Sequence, residues 1–190
     1  MKQKLLRPMG RVTAVLIWLV SSTSYLVADD LKVALAAEPT SMDPHYQNLT
    51  INNSFATQIY NALVLQDVNQ NLIPGLATSW KPVDDRTWEF ALRKNVKFHN
   101  GAAFTAGDVI ASMERAANVP NSPSSFATFT KGKKFEMVDD FTIRVSTEKP
   151  YPFTPNDMSR ISIIDSAFLK ATTEDFNTGV ASHGTGPFTL

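Results

Sequence analysis

The sequence predicts a mixed α/β domain, and three stretches predict it. Residues 95–115, NVKFHNGAAFTAGDVIASMER, read as a short strand, a tight turn and a well-started helix. Two segments built around Asp-Asp pairs, Asp84-Asp85 and Asp139-Asp140, are flanked by apolar alternation of the kind that marks β-hairpins. Between Asn53 and Leu65, the residues Phe55, Ile59, Tyr60 and Leu63 fall at helical spacing and predict a helix of about three turns.

In the first stretch Val96 and Phe98 alternate with Lys97, as in a half-buried strand, and Asn100-Gly101 supplies turn residues that tolerate positive φ. Thr105 precedes Asp108 by three positions, the spacing of a capping box, and Phe104 and Val109 flank that cap like a hydrophobic staple. Val109, Met113 and Ala116 then mark one helical face. In the hairpins, Trp88, Phe90 and Leu92 alternate after the first Asp pair, and Phe141, Ile143 and Val145 after the second. Short carboxylates cap their own turns, so the aspartates are read as turn residues and not as an acid/base pair or a cation site. Trp80 and Trp88 are assigned to hairpin core.

The 190 residues suffice for one ordinary domain or one lobe of something larger. With 43% apolar and 10% aromatic residues, a packed core is within reach. Lys plus Arg is 18 and Asp plus Glu is 18, which argues against a general nucleic-acid binder. The absence of cysteine excludes disulfides, thiolate metal sites and a Cys nucleophile. Residues 1–28 have the three parts of a secretory signal peptide: a basic start (Lys2, Lys4, Arg7, Arg11), an apolar run from Val12 to Val20, and small polar residues. The run is far short of the roughly 20 residues a membrane span needs. Cleavage is placed after Ala28, with a site near Ser24 as the alternative and an uncleaved anchor as the other reading.

Taken in order, Leu31–Leu35 alternates as a first strand, and Pro39 and Pro44 force a loop over 38–44. Asn71–Gly75 reads as a turn and Val119–Ser125 as a polar loop. Thr154-Pro155 starts a helix with Pro at its first position. Arg160–Ile164 is strand-like, Asp165 caps a short helix through Leu169, and Phe188 and Leu190 begin a last strand. The histidines His45, His99 and His183 are scattered, without metal-ligand spacing, and His99 is read as a local hydrogen-bonding residue. No Gly-x-Ser-x-Gly elbow surrounds any serine, and Gly184-Thr185-Gly186-Pro187 lacks the Lys and following helix of a phosphate loop. The residues alone therefore describe an exported α/β domain without metal, cofactor or visible catalysis, which points to binding.

Four blocks occur in order: Leu76-Ala77-Thr78-Ser79-Trp80, then residues 85–93 (DRTWEFALR), 96–101 (VKFHNG) and 104–109 (FTAGDV). With residues 38–44 (EPTSMDP) and 184–188 (GTGPF), they resemble the signature of family 5 extracellular solute-binding proteins of ABC importers, the peptide, oligopeptide and nickel type. The resemblance runs from about Leu31 to Leu190. It implies an α/β periplasmic-binding-protein type II-like fold, truncated to part of the first lobe plus its inserted small domain. On that reading residues 29–50 start the first lobe, 51–180 form the small domain, 181–190 return to the first lobe, and the second lobe is absent. The family's ligand contacts map onto His45, Tyr46, Gln47 and Asn48, while Val96–Val109 is scaffold. The implied partners are a peptide or small-molecule solute and the permease subunits of the inner membrane. The implied state is a periplasmic monomer that binds no nucleic acid. The alternatives are an exported hydrolase-like enzyme and a truncated, non-functional fragment.

Overall fold

The computed structural model describes residues 37–190. The predicted signal peptide (1–28) and first strand (Leu31–Leu35) lie outside them. Both Asp-Asp segments form the predicted hairpins. β3 (Ala77–Pro82) pairs antiparallel with β4 (Thr87–Leu92), and β5 (Lys133–Asp139) pairs with β6 (Thr142–Thr147). Their turns are held by the aspartates themselves: the Asp84 carboxylate accepts from the Arg86 N–H at 2.8 Å and the Asp139 carboxylate from the Phe141 N–H at 2.7 Å. β4 also pairs with β6, giving one four-stranded antiparallel sheet of order β3-β4-β6-β5.

The alternation decides which face is buried. Phe90, Leu92, Ile143 and Val145 point to one side, with Trp80 and Trp88 packed partly buried against them. The other side carries the charged row Lys81, Glu89 and Arg144, in which Glu89 holds Lys81 at 3.3 Å and Arg144 at 2.8 Å. Against the apolar side lies α2 (Ala106–Asn118), whose Val109, Met113 and Ala116 are buried as their spacing requires. Its capping box is formed, with the Thr105 N–H donating to the Asp108 carboxylate at 2.8 Å, and Phe104 is buried beside Val109. Gly101 has φ +88, the left-handed conformation the turn requires.

Smaller elements frame this core: α1 (Thr50–Ile59), β1 (Val64–Gln66), β2 (Leu72–Pro74), α3 (Ala127–Thr130), α4 (Thr154–Asp157), a 3-10 turn at Ser166–Phe168 capped by Asp165, and α5 (Thr173–Asn177). Pro155 stands in the first turn of α4, as predicted.

Six local expectations are corrected. The helix predicted to run to Leu65 stops at Ile59. The carbonyls at its end are taken by the chain's last residues, with Gly186 N donating to Ile59 O at 2.8 Å and Phe188 N to Gln58 O at 3.1 Å. Leu63 is buried as the spacing implied, but at the bend that leads into β1. The turn expected at Asn71–Gly75 lies at Asp67–Asn71. There the Asp67 carboxylate accepts from the N–H groups of Asn69 and Asn71, both at 2.8 Å, and frees residues 72–74 to pair with β1.

Residues 96–98 and 160–164 are extended without becoming strands, each making a single bridge, Lys97 with Ala103 and Ser162 with Ala62. Ile161, Ile163 and Ile164 are all fully buried, so the segment threads the core while Arg160 and Ser162 keep it partly open to solvent. Phe188 and Leu190 do not open a strand. His99 is not a local bonder: its N–H donates to Gly184 O at 2.9 Å and its Nε2 meets Gly186 O at 2.8 Å, fastening the turn to the chain's last segment.

That last segment approaches α1 so closely that only glycine fits. A Cβ on Gly184 would overlap the Ile59 carbonyl oxygen, and one on Gly186 would lie 2.6 Å from the Ile59 carbonyl carbon. Gly184→Ala should therefore destabilise the protein by ~2–3 kcal/mol, lowering the melting temperature by about 5–10 °C in calorimetry. A shift below about 1 °C would show that the segment can move off the helix at little cost.

Candidate ligand-binding site

The loop between the two prolines and α1 is built around a buried ion pair. The Asp43 carboxylate receives both Arg115 amino groups at 2.7 Å, a two-point contact between a loop and the last turn of α2. The side chains are 0% and 5% exposed. The remaining lone pairs of Asp43 are used as well: Oδ1 accepts from the His45 N–H at 3.0 Å and Oδ2 from the Thr173 hydroxyl at 2.8 Å. Arg115 donates further to Ala171 O at 3.2 Å and lies 4.2 Å from the centre of the Phe176 ring. Burial works against the Asp43 charge, but the Arg115 contacts outweigh it and hold the carboxyl below its ordinary range.

Of the four predicted contact residues, His45 is fully buried. Its Nε2 meets Ser162 O at 2.8 Å and its Nδ1 faces an Arg115 amino group at 3.3 Å. A carbonyl on one side and a guanidinium on the other fix the neutral ring with the proton on Nε2. Burial, and then the Arg115 charge, push its pKa down to about 4. Both nitrogens are spent inside the protein, so the expectation that His45 reaches solute is revised: it positions the loop.

Tyr46, Gln47 and Asn48 are half-buried. The Tyr46 carbonyl accepts from the Ser122 hydroxyl at 2.6 Å, and Asn48 N donates to Ser124 O at 2.9 Å as Gln47 bridges Ser124 in parallel. The Gln47 amide oxygen accepts from the Thr40 hydroxyl and that of Asn48 from the Asn53 amide. Tyr46 closes a turn on Asp43, its N–H donating to Asp43 O at 3.3 Å, and the three together lie as a short ribbon along the 119–125 loop.

Two concavities open nearby, and of the three residues Tyr46 alone lines one of them. A cavity of about 790 Å³ opens beside Tyr46, walled by Thr40, Ser41, Asn118, Asn121 and the 169–177 segment. A second, of about 470 Å³, is walled by Asn53 (the partner of Asn48), Asn61, Gln66, Phe126 and Arg160. Among the described residues no cluster of His, Asp and Glu could hold a metal ion, and no helix is long and apolar enough to cross a membrane. The Asp43–Arg115 node and the wall at residue 160 were missed by sequence reasoning. A buried Asp two positions before a His carries no sequence mark of its distant arginine.

The family model for bacterial extracellular solute-binding proteins, family 5 Middle, matches residues 71–190. The chain belongs to this family. It is 29% identical over 180 residues to the glutathione-binding protein GsiB of Pectobacterium atrosepticum, covering 90% of this chain and 35% of the relative. Solved structures share the fold as well. Haemophilus influenzae OppA in complex with the peptide RPPGFSPFR superposes with TM-score 0.72 at 25% identity, covering 81% of this chain and 34% of that one. NikZ of Campylobacter jejuni with Ni(L-His) gives TM-score 0.67 at 27% identity, covering 80% and 31%. The chain thus spans about a third of the length of the curated relatives it matches. Family 5 proteins bind solutes, and the hydrolase alternative falls with that membership.

The node makes stability depend on pH in a definite sense. His45 in the folded protein takes up a proton only near 4, whereas in the unfolded chain it does so near 6.5, so protons favour unfolding. Its contribution, about 3 kcal/mol, is complete above 6.5 and is lost as pH falls from 6.5 to about 4. The lowered Asp43 adds a second loss, below its unfolded value of 3.8. Denaturant unfolding at stepped pH should show both, and His45→Gln should flatten the upper window alone; an unchanged slope between pH 6.5 and 4 would refute the assignment. Arg115→Met, which strands Asp43, should cost about 3–5 kcal/mol, and a loss under about 1 kcal/mol in the same assay would contradict the buried pair.

Proposed function

We propose that the protein is a periplasmic solute-binding subunit of an ABC importer, a monomer that captures a peptide-type solute and delivers it to the permease. Residues 1–28 serve as its export signal. Residues 29–50 and 181–190 belong to the first lobe, and 51–180 to the small domain inserted in it. The observation that carries the reading is family membership together with the cavity of about 790 Å³ that Tyr46 lines. In this reading Tyr46 offers a ring face and a hydroxyl, and the amides of Gln47 and Asn48 offer donors to a peptide backbone. His45, held in neutral form beneath them, keeps the ribbon in place. Relatives named for glutathione and for oligopeptides favour a peptide as the solute.

Thermal-shift titration of the protein with glutathione and with peptides of three to nine residues tests this. Binding to the folded state alone should stabilise it by an amount that grows with ligand concentration, about 2.7 kcal/mol at one hundred times the dissociation constant. Tyr46→Ala should weaken the apparent affinity about tenfold, some 1.4 kcal/mol, with the unliganded melting temperature nearly unchanged. A flat response to every solute up to millimolar concentration would overturn the proposal.

A further inference from the structure

One dipeptide of the chain carries the groups for a reaction with itself. Asn100-Gly101 is the single place where an asparagine is followed by glycine. Glycine has no Cβ, so its backbone nitrogen can approach the carboxamide of the preceding residue without steric hindrance. In that reaction the Gly101 nitrogen attacks Asn100 Cγ and a C–N bond forms. The carboxamide nitrogen leaves as ammonia, taking up through solvent the proton that the Gly101 nitrogen gives up. One water molecule then opens the cyclic imide at either carbonyl, which yields aspartate or isoaspartate. Only water is consumed, and the residue gains one negative charge.

The fold holds each participant away from this path. The Gly101 N–H donates to Phe98 O at 2.8 Å, so the nucleophile is occupied. The Asn100 carboxamide is gripped at both ends: Oδ1 accepts from the Ala102 N–H at 3.0 Å, and Nδ2 donates to Asp165 Oδ2 at 2.7 Å. Asp165 is buried, and its Oδ1 accepts from the Ala167 N–H at 2.9 Å, which fixes the carboxylate that receives Asn100. Hydrogen bonds to an ionised carboxylate are among the strong ones.

The same contact makes the product unwelcome. An aspartate at position 100 sets its carboxylate against that of Asp165, like charge facing like charge where a hydrogen bond stood. The turn at 98–101 is fastened to residues 184–186 through His99, while Asp165 ends the isoleucine thread. Asn100 is therefore a rivet between the two. We propose that Asn100-Gly101 is a self-modification site that Asp165 keeps silent, and that its conversion to aspartate unlocks the turn from the thread.

Ageing of the full chain at mildly alkaline pH tests this, with conversion read by mass spectrometry of the tryptic peptide 98–115. Conversion should be more than about tenfold slower in the folded protein than in the same chain in urea. Asp165→Asn retains an oxygen for the Ala167 N–H but turns a second amide toward Asn100. It should speed conversion in the folded protein about tenfold, the size expected from losing one hydrogen bond to a charged group. Asn100→Asp should melt lower than Asn100→Ala at neutral pH, with the gap closing as pH falls through the carboxylate range. That comparison holds whether or not Asp165→Asn folds. Equal rates in the folded and unfolded chain, or a rate unmoved by Asp165→Asn, overturn the silencing by Asp165. An Asn100→Asp protein as stable as Asn100→Ala at neutral pH overturns the unlocking.

Discussion

The Asp43–Arg115 pair is the constraint on which the rest of the site depends. It joins a loop, the end of α2 and the 171–176 segment at one buried point, through residues 72 positions apart. Such a pair adds little net stability over an apolar replacement, because desolvating two charges offsets most of their attraction. What it supplies is uniqueness. With both carboxylate oxygens and both terminal guanidinium nitrogens occupied, the loop can sit in only one register, and His45, bonded to the same carboxylate, is set before Tyr46 begins.

The features legible in the sequence are those whose hydrogen bonds close within two or three residues. The Asp84 and Asp139 turns, the Thr105–Asp108 box and the Asp165 cap are of this kind, and each appears as its spacing implied. The errors come where distant backbone claims a local group. The end of α1 is decided by glycines more than 120 residues later, and His99 by the same segment. The buried isoleucines at 161, 163 and 164 look like a strand because burial on all sides and burial between strands have the same apolar signature. In the site, residue types were visible but exposure was not: His45 and Tyr46 are neighbours in the chain, one wholly inside and the other at a cavity wall.

The stretch that most clearly marks the family also reaches the site through other residues. Asp108, beyond capping α2, accepts from the Ser166 N–H at 2.9 Å, and the Ser112 hydroxyl accepts from the Ile164 N–H at 2.9 Å. Ser162, two residues before Ile164, holds His45, and Arg160 stands two residues before that. The capped helix is thus scaffold that pins the isoleucine thread from which one cavity wall is made.

The seam between α1 and residues 184–188 is made almost wholly of main chain, with carbonyls of Gln58 and Ile59 on one side and amides of Gly186 and Phe188 on the other. A joint of that composition is indifferent to the side chains projecting away from it. Asn53 and Thr57 stand on α1 ahead of the seam and line the cavity without taking part in it. Replacing Thr57, whose hydroxyl bonds only within the helix, would re-letter the wall while leaving the seam glycines and the frame untouched. A body assembled this way can be refitted to chemically unlike cargoes by exchanging a few lining residues, which makes it a favourable starting point for engineered sensors.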